Sequence, residues 1–314
     1  MLPVPLLFSL CWGPATTRLQ EAAQRVESTG SKEACGFFKD CAPKYSLFDV
    51  NASAAEWDPL DQAATNAYLK ARQNAVMGCT KSATANQNHG TWCLTARPWS
   101  STQNCTPTSG PCVTPAGDEY AIPESHHQAD GALLRVLLTL LRPSSDNREY
   151  QSLMDFGSAV GQYGHALRSV DSKAAQQFRG YEGAGNVEQW THGYVHWLDL
   201  TLPVSLPKAD WVMSLEVGEH IPNRFEALFL RNLHAHNCRG IILCWAKLDS
   251  NGKNHINNHD EAYIANRVTQ LGYRLRHDLN HIIAAGDTGN EFKGWRLSRW
   301  IRKARVFERL EPVC

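Results

Sequence analysis

The chain is predicted to fold in large part as an α/β, doubly wound sheet of seven mostly parallel strands, behind a cysteine-rich N-terminal region. Three observations predict this. Short apolar strands alternate with helical segments from about residue 150 onward, the pattern of a sheet wound from both sides. A glycine-rich turn, Asp155-Phe-Gly157-Ser-Ala159-Val-Gly161-Gln-Tyr-Gly164, follows the first strand. Acidic residues then recur at the ends of later strands, where open α/β sheets hold their ligands.

Taken in order, residues 1–15 are an apolar run closing on small residues, Met1-Leu-Pro-Val-Pro to Trp12-Gly-Pro-Ala15, and read as a signal peptide. No stretch of about 18 apolar residues occurs, so no membrane span is expected. Residues 16–34 read as a polar helix. Within the cysteine-rich region, 16–122, six cysteines (Cys35, Cys41, Cys79, Cys93, Cys105, Cys112) share a loop-rich stretch with the glycosylation sequons at Asn51 and Asn104. Helix is expected there over about 56–77, with Trp57, Trp92 and Trp99 as core aromatics. An even cysteine count without any Cys-x-x-Cys spacing favours disulfides over zinc, hence a secretory lumen or a secreted protein. Reduced cysteines in a cytoplasmic protein are the alternative.

The second domain is placed at 123–314. Gly131 to Leu141 forms an amphipathic helix stopped by Pro143. Strands follow at Tyr150–Phe156, Gln177–Glu182, Tyr194–Leu198, Trp211–Leu215 and Gly240–Trp245, with two last strands at Tyr273–His277 and Ala304–Leu310. Helices are expected over 162–170, 222–236 and 260–271, the last stopped by Gly272. Cys238 and Cys244 read as small core residues. His126 and His127 read as helix-start surface residues. The basic, aromatic stretch Trp295–Arg305 reads as an exposed strand-edge hairpin, with contact to an anionic partner as the other reading.

Lys+Arg and Asp+Glu number 31 each, so the formal net charge is zero. That argues against nucleic-acid binding, which needs a basic field. The glycine turn lacks the Gly-x-Gly-x-x-Gly of dinucleotide sites, since Ala159 and Gln162 stand where glycines are required. It also lacks the Gly-Lys-Ser/Thr of a P-loop. An acidic residue before such a turn suits a positively charged ligand.

The segment resembles the Asp-x-Gly-x-Gly-x-Gly motif of class I S-adenosylmethionine-dependent methyltransferases, with Ala159 in place of the middle glycine. The resemblance covers about residues 125–312. It implies a Rossmann-like methyltransferase sheet that binds S-adenosylmethionine through Asp155, Gly157, Ser158 and Gly161. It further implies that Glu182 grips the ribose hydroxyls, that Asp199 and Leu200 hold the adenine, and that Glu216, at the end of the fourth strand, is also a cofactor-binding residue. The stretch Glu216-Val-Gly-Glu219-His220 is similar to the Glu-Val-x-Glu-His segment of ubiquinone-pathway and small-RNA O-methyltransferases. There it implies a divalent cation, Mg²⁺ or Zn²⁺, on Glu216, Glu219, His220 and a later histidine, His255. The spacing also puts these residues on one face if they open a helix. His220 and Glu219 are then the catalytic candidates, and a hydroxyl of a small molecule or glycan is the expected acceptor. A non-catalytic secreted binding protein that keeps the fold is the alternative which Ala159 favours.

Overall fold

The computed structural model describes residues 69–77, 79, 128–145, 148–202, 204, 206–252 and 254–314. The expectations for the leader, the polar helix at 16–34, the sequons, Trp57, Trp92, Trp99, His126, His127 and all N-terminal cysteines but Cys79 lie outside them. Two compact units divide the chain, residues 1–67 with 202–205, and 68–201 with 206–314. All that follows belongs to the second.

Its centre is a seven-stranded sheet: β1 Leu153–Phe156, β2 Phe178–Glu182, β3 Val195–Trp197, β4 Ala209–Leu215, β5 Asn237–Cys244, β6 Tyr273–Leu275 and β7 Arg305–Arg309. The spatial order is β3-β2-β1-β4-β5-β7-β6. β3, β2, β1, β4 and β5 run parallel, and β7 lies antiparallel between β5 and β6. The strand order reverses direction beside β1, so the β1 and β4 tips flank the crevice where such sheets bind ligands. β1 is buried along its whole length, as a central parallel strand covered on both faces must be.

Helix α1, Gly131–Leu141, is capped by Asp130, whose Oδ1 accepts from the amides of Ala132 and Leu133. It spans the expected residues and is enclosed almost throughout. Only Arg135 and Thr139 escape burial, and the rest packs into one core with helices α2 (Gln162–Val170) and α7 (His277–Ala285). That core rests on Leu153, Trp211, Met213, Ile242 and Val306, so it covers one face of the sheet. Each leucine so enclosed contributes about 1.5–3 kcal/mol. Helices α3 Ser172–Gln176, α4 Val187–Trp190, α5 Glu226–Ala235 and α6 Glu261–Gln270 also form. A helix over 69–77 packs near Gly185, where an added Cβ would meet the Ala75 carbonyl.

Three expectations need correction. The helix expected over 222–236 begins as α5 only at Glu226, behind a 3₁₀ turn at Asn223–Phe225. Cys238 is not a plain core residue but is disulfide-bonded to Cys314, with Cα atoms 5.3 Å apart; Cys244 is buried and is the free cysteine among the described residues. Trp295–Arg305 is no edge hairpin: it is irregular chain ending in a 3₁₀ turn at Ile301–Lys303, and β7 behind it is an inner strand. Among the described residues, no helix is long and apolar enough to cross a membrane.

Candidate active site at the carboxyl edge of the sheet

The glycine turn leaves β1 at its carboxyl end. Gly157 and Gly161 have φ of +85° and +76°, the left-handed region that glycine enters without strain. Each is also required by a neighbour. A Cβ on Gly157 would lie 2.1 Å from Val217 Cγ2, and one on Gly161 would lie 2.7 Å from the Tyr194 ring. Ala159 adopts φ +49°, so the alanine holds the conformation of the glycine it replaces. Its amide donates to Glu182 Oε2 at 2.8 Å, and the Gly157 and Ser158 amides donate to the Tyr181 carbonyl. The turn is thereby bound to the tip of β2.

Asp155 is 2 % exposed. Burial pushes its carboxyl up to about 7, the charge of Glu182 adds to this, and the Ser158 hydroxyl opposes it. Glu182 accepts from the amides of Ala159 and Ala184, and burial raises its pKa as well. The Gly183 amide is a third backbone donor to it, and the carboxyl keeps acceptor capacity for a ligand hydroxyl. Asp199 follows β3, buried, and accepts from the Thr201 amide and hydroxyl at 2.8 and 2.6 Å. Leu200 is buried beside it, its carbonyl bound by Asn232.

Glu216 ends β4 with φ +55°, and the chain then makes a 3₁₀ turn over Gly218–His220 instead of opening a helix. Pro222 explains the break, because the residue before proline is driven out of the helical region; Ile221 is extended, at ψ 122°. The i, i+3, i+4 face therefore does not form, and Glu216 parts from the others. It accepts from the Cys244 thiol at 2.8 Å and pairs with Lys303 at 3.1 Å.

Glu219, His220 and His255 do come together, with one donor atom from each lying within 4.8 Å of the others. Glu219 is fully enclosed, and among the described residues no side chain hydrogen-bonds to either of its carboxyl oxygens. Burial, with the charge of Glu216, pushes its carboxyl well above the usual range. His220 Nδ1 lies 3.0 Å from the Asn254 carbonyl and so carries the hydrogen, which leaves Nε2 as the lone-pair donor. Burial lowers this imidazole to about 4. His255 Nε2 stands 4.0 Å from Glu219 Oε1. Its loop is tied down by Glu219 itself, whose carbonyl accepts the amides of Ile256 and Asn257. A carboxyl group and two imidazoles are a transition-metal donor set.

Sequence reasoning missed three residues that shape this site. Lys303 neutralises Glu216, Asn254 fixes the His220 tautomer, and Glu226 anchors the loop of His255. None has a local signal, because each acts through a contact that only the folded chain makes.

No family model and no curated protein matches the chain. Among solved structures, it is similar to magnesium protoporphyrin IX methyltransferase of Synechocystis PCC 6803 with bound S-adenosylhomocysteine. That match has 16% identity and TM-score 0.35, over 57% of this chain and 84% of that one. An O-methyltransferase family protein from Burkholderia thailandensis matches at 14% identity and TM-score 0.34, over 52% and 51% of the two chains. An O-methyltransferase from neocarzinostatin biosynthesis matches at 11% and 0.32, over 51% and 49%. The fold is the Rossmann-like fold of class I S-adenosylmethionine-dependent methyltransferases. It is defined by the order β3-β2-β1-β4-β5-β7-β6 with β7 antiparallel to both of its neighbours.

Proposed function

We propose that this chain is an S-adenosylmethionine-dependent methyltransferase acting on a hydroxyl oxygen, with a divalent cation on Glu219, His220 and His255. The observation that carries this reading is a set of carboxylates at the carboxyl edge, Asp155, Glu182 and Glu219. No lysine or arginine forms an ion pair with any of them among the described residues. Buried carboxylates without a cation are costly, and a cationic ligand relieves that cost.

Asp155 and the turn at Gly157–Gly161 would face the positive methionine end of the methyl donor, Glu182 its ribose and Asp199 its base. Ala159 does not disable the turn, since its backbone already takes the left-handed conformation at about 1–2 kcal/mol. The acceptor oxygen takes the methyl carbon, the electron pair of the broken carbon–sulfur bond stays on sulfur, and the hydroxyl proton leaves to water. A bound cation would supply the acidity that makes that oxygen nucleophilic near neutral pH. His220 serves as ligand, not general base. At about 4 it is neutral at pH 7, as a ligand must be, and too weak to draw a proton from a hydroxyl. Two imidazoles favour Zn²⁺, Mn²⁺ or Fe²⁺ over Mg²⁺.

Thermal shift with S-adenosylhomocysteine tests the cofactor, and calorimetric titration with Mn²⁺ or Zn²⁺ tests the cation. A rise in melting temperature is expected with the first. Glu219→Gln should lose the second and keep the first. No shift at millimolar S-adenosylhomocysteine overturns the methyltransferase reading. Metal binding unchanged in Glu219→Gln overturns the cation site alone.

A further inference from the structure

Resting on that reading, we infer that the segment 293–303 is the acceptor-binding wall and that the methyl acceptor is an acidic glycan. The topology places the segment. β7 runs antiparallel to β5 and starts at Arg305 opposite Leu243, one residue from the β5 tip. Chain leading into β7 must therefore cross the ligand edge of the sheet. It does so beside the strand tips: the Cys244 thiol lies 3.4 Å from the Trp300 carbonyl, and Lys303 reaches Glu216. The segment is held in place from behind, where Asp130 Oδ2 accepts the Ser298 amide and the Gly131 amide donates to the Arg296 carbonyl.

Its chemistry is distinct from that of the chain as a whole. Across 293–303 stand Lys293, Arg296, Arg299, Arg302 and Lys303, with no Asp or Glu, in a chain whose formal charges sum to zero. Lys303 is spent on Glu216. Lys293, Arg299 and Arg302 are exposed and form no ion pair among the described residues. The acids that flank it along the chain are engaged elsewhere, Asp287 and Glu291 by Arg135 and Arg142, and Glu308 by Arg274 and Arg276. Between the free cations stands Trp300, 48% exposed, with Arg299 4.4 Å from its ring centroid. An exposed indole offers a flat apolar face to a sugar ring, and the spaced cations fit charges repeated along a chain.

Nucleic acid would meet the same charges. It fits less well, because the chain has no wide basic field and the strip offers a single exposed aromatic ring in place of a row of stacking platforms. The Cys238–Cys314 disulfide also points to an oxidising compartment, where glycans are the abundant polyanions.

The test uses the full chain and three probes: a heparin hexasaccharide, neutral maltohexaose, and an oligouridylate of matched charge. The hexasaccharide should bind in calorimetry and accept tritiated methyl from S-adenosylmethionine; maltohexaose should do neither. Arg299→Ala with Arg302→Ala, and Trp300→Ala separately, should each weaken hexasaccharide binding by roughly tenfold or more. S-adenosylhomocysteine binding and melting temperature should not move. Arg231→Ala, an exposed cation on α5, should leave hexasaccharide binding unchanged. The inference is overturned if the hexasaccharide does not bind, if the strip variants bind it like the parent, or if the oligouridylate binds more tightly. Binding of S-adenosylhomocysteine alone would sink this inference and spare the methyltransferase reading; failure of both would sink the two together.

Discussion

Asp155 is a carboxylate that burial holds partly protonated near neutral pH. Its folded pKa of about 7 lies above the unfolded value of about 4. The folded state therefore keeps a proton that the unfolded state has lost, and Asp155 costs stability increasingly as pH rises through that window. A positive ligand beside it prefers the ionised form. Affinity for S-adenosylmethionine should rise roughly tenfold from pH 6 to pH 8 and level off above. Asp155→Asn should flatten that rise; calorimetry at three pH values decides, and an equal slope in the variant contradicts the assignment. Gly157 tests the turn by stability. Alanine there meets both the left-handed φ and the Val217 side chain, for about 2–4 kcal/mol in urea unfolding. Gly193 has φ +80° and nothing within 4 Å of an added Cβ, so Gly193→Ala should show the backbone share alone, about 1–2 kcal/mol. Equal losses at the two sites would show that Val217 does not press on the turn.

At the scale of elements, the loop carrying His255 is held by a buried carboxylate on α5. Glu226 Oε2 accepts from Asn257 Nδ2 at 3.0 Å and meets His259 Nε2 at 2.6 Å, and Oε1 accepts from the Tyr263 hydroxyl at 2.7 Å. Glu226→Gln turns one acceptor oxygen into a donor facing donors. Faster amide exchange at Ile256 and Asn257 is expected, with metal affinity about 10–100-fold weaker. Unchanged exchange at those two amides would show that the loop is held by the backbone bonds to Glu219 alone. The elements themselves were legible to different degrees. Parallel strands such as β5 announce themselves as apolar runs, because both faces are covered. The carboxylates at their tips were legible with them, since a strand end is a position in sequence. The helix expected over 222–236 failed at its start because Pro222 outweighed periodicity. Trp295–Arg305 was misread because its place beside β5 is set by the order of the sheet, which periodicity does not encode. Glu216 left the expected cluster for a lysine 87 residues away, a pairing that only the folded chain makes.

At the scale of the whole molecule, the sheet is closed at its C-terminal end by a covalent bond. Cys238 is the second residue of β5 and Cys314 the last of the sequence, and the bond between them spans 76 residues. It ties the chain beyond β7 back to the strand on which β7 is paired. Cross-linking a loop of this size stabilises chiefly by restricting the unfolded chain, by about 2–4 kcal/mol. Cys314→Ser should lower urea-unfolding stability by that amount, and reductant should lower the parent by that much more than it lowers the variant. Cys79 is also disulfide-bonded, so the reductant arm compares parent and variant after subtraction of the effect that both share. Alkylation followed by peptide mapping supplies the second readout: Cys244 should be labelled only after unfolding, and Cys238 and Cys314 only after reduction. Labelling of Cys238 and Cys314 as thiols in freshly isolated protein would remove the argument for an oxidising compartment. The sheet order and the candidate site, which owe nothing to that bond, would stand.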